Sequence, residues 1–229
     1  MKLAIVGYGK MGRMIDGLAA QHGFEVVHRL DIGYDAPVLQ REPVDVAIEF
    51  SMPEAAAANL EILAGLGIPT VCGTTGWFKD LDRVKSAVLR GGGALVYSAN
   101  YSIGVNVFQR LVAEAAKLLA DEGQYEAWAW EIHHSAKKDA PSGTLLQLAA
   151  AMKKSGYARN IDQSSSRAGA HPGTHEIGFD SAADTITLRH TARGREGFAL
   201  GALKAARWIV GKKGVYEFAD ILFGGGTCS

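Results

Sequence analysis

The chain has 229 residues with 24 basic and 24 acidic side chains, and 48% of it is apolar, a balance that buries a core and excludes a mainly disordered chain. A formal net charge of zero argues against a broadly basic surface, so neither a nucleic acid nor a membrane is an expected partner. Cys72 and Cys228 lack CxxC spacing, and no apolar run approaches the roughly 18 residues of a membrane span, so disulfide frameworks, cysteine zinc sites and membrane crossings are not expected.

Residues 1–6 are too short an apolar run for a secretory signal, and the expected location is a reducing cytoplasm. Residues 2–6 read as a strand ending at Gly7, and residues 10–21 as a helix, with Met11, Met14, Ile15 and Leu18 at helical spacing. Residues 24–30 form a second strand closed by Asp31, and residues 44–50 a third. Ser51-Met52-Pro53-Glu54 then reads as a capping box that opens a helix to about Ala64. Strand 68–72, helix 78–89, a glycine break at 91–93 and strand 94–98 follow. Strands alternating with helices imply an α/β, doubly wound parallel sheet. After Asn100 the pattern becomes α+β: a long helix at 105–120, then a strand at 126–133 with Glu126, Trp128, Trp130 and Ile132 on one face. Residues 160–172, rich in Ser, Gly and Ala without periodicity, are expected to be a loop, and 174–180 with 184–191 an antiparallel hairpin. A helix at 198–210 precedes a segment, 215–222, that returns to the first domain. The expected boundaries are therefore 1–103, completed by 205–229, for the first domain and 104–204 for a second domain with a mixed sheet.

Gly7-Tyr8-Gly9-Lys10-Met11-Gly12 matches GxGxxG directly after a strand and at the start of a helix. Gly7 suits the tight turn, Gly9 the approach of a pyrophosphate, and Gly12 close helix–sheet packing, while the helix N-terminus offers unpaired N–H donors. Asp31 ends the second strand, where a carboxylate accepts from ribose hydroxyls. A Rossmann-like domain binding a dinucleotide is the expectation; an ordinary glycine-rich turn is the bland alternative. Gly73-Thr74-Thr75-Gly76 follows strand four on the ligand side of such a sheet. Phe50, Ser51, Ser98, Asn100 and Tyr101, also at strand ends, complete the candidate cofactor contacts.

The densest polar cluster runs from Glu131 through Ile132-His133-His134-Ser135-Ala136-Lys137-Lys138-Asp139-Ala140-Pro141-Ser142-Gly143 to Thr144. If strand geometry persists, His133 and His134 point to opposite faces and do not chelate one metal together. Ser142-Gly143-Thr144 opens a helix, giving an anion site beside Lys137 that suits a carboxylate-bearing substrate, with His133 near enough to act as acid. His171 and His175 are four apart, but Pro172-Gly173 between them prevents the helix that would align a metal pair, so no metal is expected.

This string resembles the EIHHxxKxDAPSGT signature of the bacterial dihydrodipicolinate reductases, now called 4-hydroxy-tetrahydrodipicolinate reductases, of lysine biosynthesis. The likeness extends to the glycine turn, to GTTG, to Ala99-Asn100-Tyr101-Ser102-Ile103-Gly104-Val105-Asn106 and to Pro172-Gly173-Thr174-His175-Glu176, and the chain is short between Asp31 and Val44. The resemblance implies hydride transfer from reduced nicotinamide to a cyclic dicarboxylate. It makes His133 the general acid, Lys137 a substrate-binding lysine that also delivers a proton, and His134, Ser142, Gly143 and Thr144 the carboxylate cradle. It implies a homotetramer built through the second domain's sheet, which would bury Trp128 and Trp130, although packing of these tryptophans into the domain's own core accounts for them equally well, and it implies a Tyr101 ring face available to the nicotinamide side. Competing readings are a non-catalytic NAD(P)H-sensing protein and an amino-acid dehydrogenase such as aspartate dehydrogenase. The carboxylate of Asp31, followed by Ile32-Gly33 and not by a basic residue, predicts NADH at least as good as NADPH, with Lys10, Arg13 and Arg29 as candidate substitutes for that basic residue, so a preference and not exclusivity is expected. Domain closure is expected about hinges at 102–105 and 203–207.

Overall fold

The computed structural model describes residues 1–31 and 38–224. Ile32, Gly33 and Cys228 lie outside the described residues. The chain divides into a first unit, Met1–Ile103 with the chain from Glu196 onward, and a second, Gly104–Arg195.

The first unit contains β1 (Lys2–Val6), α1 (Lys10–Ala19), β2 (Glu25–Leu30), α2 (Val38–Arg41), β3 (Val46–Glu49), α3 (Pro53–Gly65), β4 (Thr70–Cys72), α4 (Leu81–Arg90) and β5 (Ala94–Tyr97). From α5 (Ile103–Leu118) the chain enters the second unit, and it comes back as α7 (Glu196–Ile209), β10 (Gly214–Glu217) and α8 (Phe218–Leu222). Six parallel strands lie in the order β10-β5-β4-β3-β1-β2. The central strands are buried almost without interruption, because helices cover both faces and the sequence supplies apolar runs with no polar alternation. Leu3 and Ile5 pack toward α1 and α7, whereas Ala4 and Val6 pack toward the face that holds Leu63 of α3. The chain passes from β1 to β2 on one side and to β3 on the other, so a switch point opens beyond the carboxyl ends of β1 and β3.

Expectations at the starts of α3 and α7 are corrected in this unit. The capping box does not form: Met52 occupies the cap position without a side-chain bond, and Ser51 is instead tied to the buried carboxylate of Glu49. The return to the first unit begins at Glu196 and not at residue 205, because α7 buries Ala199, Ala202, Leu203 and Ile209 in the first core along its whole length. The expected hinge at 203–207 therefore falls inside a continuous, buried helix.

The second unit adds β6 (Glu126–His133), α6 (Gly143–Lys154), β7 (Ile161–Arg167), β8 (Thr174–Asp180) and β9 (Thr185–Thr191), with the sheet order β7-β6-β8-β9. β6 and β7 are parallel, joined by α6, and the remaining pairs are antiparallel. Of residues 160–172, expected to be a loop, Ile161–Arg167 form the edge strand β7, and residues 168–172 lie outside any strand or helix. β7 needs no apolar alternation because the crossover through α6 and the ladder with β6 place it. The β6 faces also differ from a reading of the tryptophans as the core. Ala127, Ala129, Glu131 and His133 point inward, and Trp128, Trp130 and Ile132 are half-buried on the other side. Small alanines let α5 and α6 approach closely, so that Phe108, Val112, Leu145, Leu148 and Met152 fill the core against Ile177 and Phe179. No helix among the described residues is long and apolar enough to cross a membrane.

Candidate active site

At the switch point of the first sheet, a cavity of about 490 Å³ is lined by Gly7, Gly9, Asp31, Phe50 and Ser51, with Met52 and Asn59 from the α3 side. Gly7 sits at φ +93°, and a Cβ there would lie 2.2 Å from the Phe50 carbonyl oxygen, so both conformation and space demand glycine. Gly9 is exposed and its Cβ position is open, leaving room for a ligand at the N-terminus of α1.

Behind the crevice, Glu49 is fully buried at the end of β3. Its Oε1 accepts from the Ser51 N–H at 3.2 Å, from the Ser51 hydroxyl and from Asn59 Nδ2 at 3.4 Å, and its Oε2 from the Cys72 thiol at 3.2 Å. The Ser51 N–H also reaches Thr74 Oγ1 at 2.8 Å, which ties the β3 and β4 ends together. Burial and the neighbouring Glu49 carboxylate push the Cys72 thiol well up, so it is protonated. Ser51 and Thr74 were candidate contacts from sequence, whereas Glu49, Asn59 and Cys72 were not assigned; a lone acid in an apolar strand was the only signal for Glu49.

The other candidate cofactor residues scatter in role. Gly12 is packed against the Gly7 carbonyl, Tyr8 donates its hydroxyl to Asp16, and Lys10 is exposed with Met11 half-buried beside it. Gly73 lies under the Phe50 ring, Thr74 is buried, and Thr75 is exposed. Ser98 and Asn100 close a turn on each other, with the Ser98 hydroxyl donating to the Asn100 carbonyl at 2.9 Å. Tyr101 is corrected outright. It is 1% exposed, donates to the carbonyls of Cys72 and Val96 at 2.9 and 3.0 Å, and packs its ring 4.7 Å from Phe218, so its face belongs to the core and is not available to a ligand. Arg29 is held bidentately by Asp16, both bonds at 2.8 Å, and the arginine keeps the Asp16 carboxyl below its ordinary range.

In the second unit, sheet register assembles a polar row. Glu131 on β6 stands opposite Ser165 on β7 and His175 on β8, His175 stands opposite His190 on β9, and His133 stands opposite Arg167. Glu131 is 0% exposed. Its carboxylate accepts from the Ser142 N–H at 2.9 Å, from the Ser142 hydroxyl, from Ser165 Oγ at 2.9 Å and from Arg167 Nη2 at 2.8 Å. Burial pushes its pKa up, but the bonds from Ser142, Arg167 and Ser165 outweigh that and hold it at about 2. Nε2 of His133 and Nε2 of His175 each lie 3.3 Å from Glu131 Oε2. Burial lowers both imidazoles, His175 to about 4, so His175 is neutral near pH 7. His133 also rests against Gly173, at φ +137°, where a Cβ would come within 2.9 Å of the ring.

Lys137 and Asp139 lie on the loop that leaves this row. Lys137 Nζ bonds both Asp139 oxygens, at 2.8 and 2.9 Å, and with the Gly143 N–H holds that carboxyl below its ordinary range. Ser142 caps α6, accepting from the Leu145 N–H at 3.2 Å. Being 2% exposed and spent on Glu131, Ser142 braces the helix start, while exposed Gly143 and half-buried Thr144 and His134 present themselves outward. Glu131, Ser165, Arg167 and His175 are the residues whose part sequence reasoning missed. The Glu131-x-His133 spacing, two apart on one strand, was the available signal for the first. Among the described residues, Glu131, His133 and His175 are the one group of three His, Cys or acidic side chains whose nitrogen and oxygen atoms lie within 4.8 Å of one another. The carboxylate there is already neutralised by Arg167, and a divalent ion would face that guanidinium.

A family model of the dihydrodipicolinate reductase N-terminus matches residues 1–101, and one of the C-terminus matches residues 104–222. The 4-hydroxy-tetrahydrodipicolinate reductase of Christiangramia forsetii is 35% identical over 235 residues, covering 97% of this chain and 98% of that one. Its counterpart from Archaeoglobus fulgidus is 36% identical over 260 residues, covering 97% and 100%. A dipicolinate-bound dihydrodipicolinate reductase from a Paenisporosarcina species is similar in fold, with a TM-score of 0.84 at 19% identity, covering 96% of this chain and 99% of that one.

Proposed function

The chain belongs to the dihydrodipicolinate reductase family, and from that premise we propose how its residues divide the work of reducing 4-hydroxy-tetrahydrodipicolinate to tetrahydrodipicolinate. It is an oxidoreductase of diaminopimelate and lysine biosynthesis that uses a pyridine nucleotide. The bound reduced nicotinamide supplies a hydride. Replacing a ring hydroxyl by hydride releases water, so the protein must add one proton and hold two carboxylates. His133 and Lys137 carry the proton, and His134, Gly143 and Thr144, with Ser142 bracing them, receive a carboxylate. The observation that carries this reading is the juxtaposition of a half-buried ammonium, an imidazole backed by a buried carboxylate, and the exposed start of α6.

The crevice beyond β1 and β3 fits the dinucleotide, since Gly9 leaves its backbone open to a pyrophosphate and Asp31 lines the same cavity. NADH serves at least as well as NADPH. Asp31 repels a 2′-phosphate, and the salt bridge with Asp16 withholds Arg29 from it. The enzyme works in the cytoplasm as a homotetramer formed through the outer face of the second sheet, where Trp128 and Trp130 are half-buried. Purified protein with NADH, with and without the cyclic dicarboxylate, tests the reading. NADH oxidation is expected only with that substrate. Binding without turnover would make the protein a sensor, and turnover on an amino acid would make it a dehydrogenase of that class.

A further inference from the structure

Glu131 makes more bonds than any other side chain of the second unit's polar row, and it touches neither exposed surface nor Lys137. Four of its contacts are settled donors: the Ser142 N–H and hydroxyl, Ser165 and Arg167. The two imidazoles at 3.3 Å from Oε2 are not equivalent. Nε2 of His175 has a second partner, Ser142 Oγ at 3.2 Å, and is satisfied while neutral. Nε2 of His133 is buried and has no hydrogen-bond partner, and Glu131 Oε2 lies 3.3 Å from it, within ion-pair distance. A proton on that nitrogen gives it this carboxylate as its partner.

We propose that Glu131 is the positioning residue of the reductase: its carboxylate takes the Nε2–H of His133, fixes the ring, and leaves Nδ1 as the nitrogen from which a proton is given to substrate. This deepens the role given to His133 above and rests on it. The charges support the arrangement. Arg167 lies beside His133 across the β6–β7 ladder, and Lys137 follows four residues later, so an imidazolium without Glu131 would face two cations. From β8, His175 adds no charge because it is neutral, and His190 on β9 lies behind it. Glu131 is therefore the anion that makes a charged His133 tolerable at a position 9% exposed.

The test uses the full chain, with a chelator in every buffer to keep stray divalent ions from the cluster. His133 is titrated by its ring Cε1–H resonance, identified by difference from His133→Asn, and kcat with NADH and the cyclic dicarboxylate is followed against pH. A proton donor must be charged, so kcat falls as pH rises through its pKa. In Glu131→Gln the resonance titration and this alkaline limb should both move to lower pH by about 1–3 units, the usual effect of removing an adjacent opposite charge. In Arg167→Met both should move to higher pH, and Glu131→Asp should restore part of the wild-type position. Opposite shifts are not the mark of a merely structural residue, and Arg167→Met keeps the test open if Glu131→Gln does not fold. An unmoved His133 titration in these variants would overturn the proposal. A shifted titration with an unmoved kinetic limb would overturn it too, and would show that the error lies in taking His133 as the donor.

Discussion

Adding one methyl group at Gly9 separates a nucleotide site from a plain glycine-rich turn. Gly9 lies at φ −81°, ψ −152°, which alanine adopts, and its Cβ meets nothing within 4 Å. Two small stability effects then oppose each other. Alanine loses about 0.4–1 kcal/mol less unfolded-chain entropy than glycine, and it is a poorer helix cap by a similar amount. Gly9→Ala should therefore melt within about 4 °C of wild type. A pyrophosphate seated on the N-terminus of α1 would meet that methyl group. Losing one charge-assisted hydrogen bond costs about 1.5–3 kcal/mol, which weakens NADH binding about 10- to 150-fold. Gly7→Ala is the contrast, since φ +93° and a carbonyl oxygen 2.2 Å from its Cβ should unfold the first unit outright. Fluorescence titration of NADH beside a thermal melt makes the comparison. A folded Gly9→Ala protein that binds NADH within about twofold of wild type would refute the placement of the pyrophosphate.

His133→Ala and Lys137→Ala should each lower kcat about 100- to 10,000-fold while NADH affinity stays nearly unchanged, and near wild-type turnover in both would defeat their roles. His175 is held at about 4 against an ordinary 6.5, so the unfolded chain binds its proton first and stability falls as pH drops from 6.5 toward 4, by about 3 kcal/mol. His175→Asn should flatten that slope in urea unfolding, whereas the contribution of Glu131 is lost only lower, between 4.5 and about 2. For the cofactors, kcat/KM with NADH should equal or exceed that with NADPH at moderate salt, and a preference for NADPH above about tenfold would refute the reading of Asp31.

Much of the first unit is legible along the chain because each strand is a short apolar run bounded by glycine or a helix start, as at Gly7, and the parallel sheet demands little else. What misled was competition that sequence does not display. Ser51 has the spacing of a cap but is claimed by Glu49, and Tyr101 has the position of a ligand contact but is claimed by the core. In the second unit, the alternating tryptophans suggest the buried face, while the buried face carries the alanines that allow helices to come close. β7 was invisible because an edge strand of Asp162, Gln163 and three serines owes its place to pairing and not to its own pattern. The candidate site divides the same way. His133, Lys137 and the start of α6 lie within one contiguous motif, but Ser165, Arg167 and His175 reach Glu131 only through the register of three strands.

The most direct test of the central claim follows the hydride itself. NADH deuterated at nicotinamide C4, on the face the enzyme uses, is incubated with the protein and the cyclic dicarboxylate in ordinary water, and the product is examined by mass spectrometry. Transfer to the heterocycle predicts tetrahydrodipicolinate carrying one deuterium on a ring carbon, and its formation should collapse in His133→Ala. Product without deuterium, or NADH consumed with the dicarboxylate unchanged, would contradict the account.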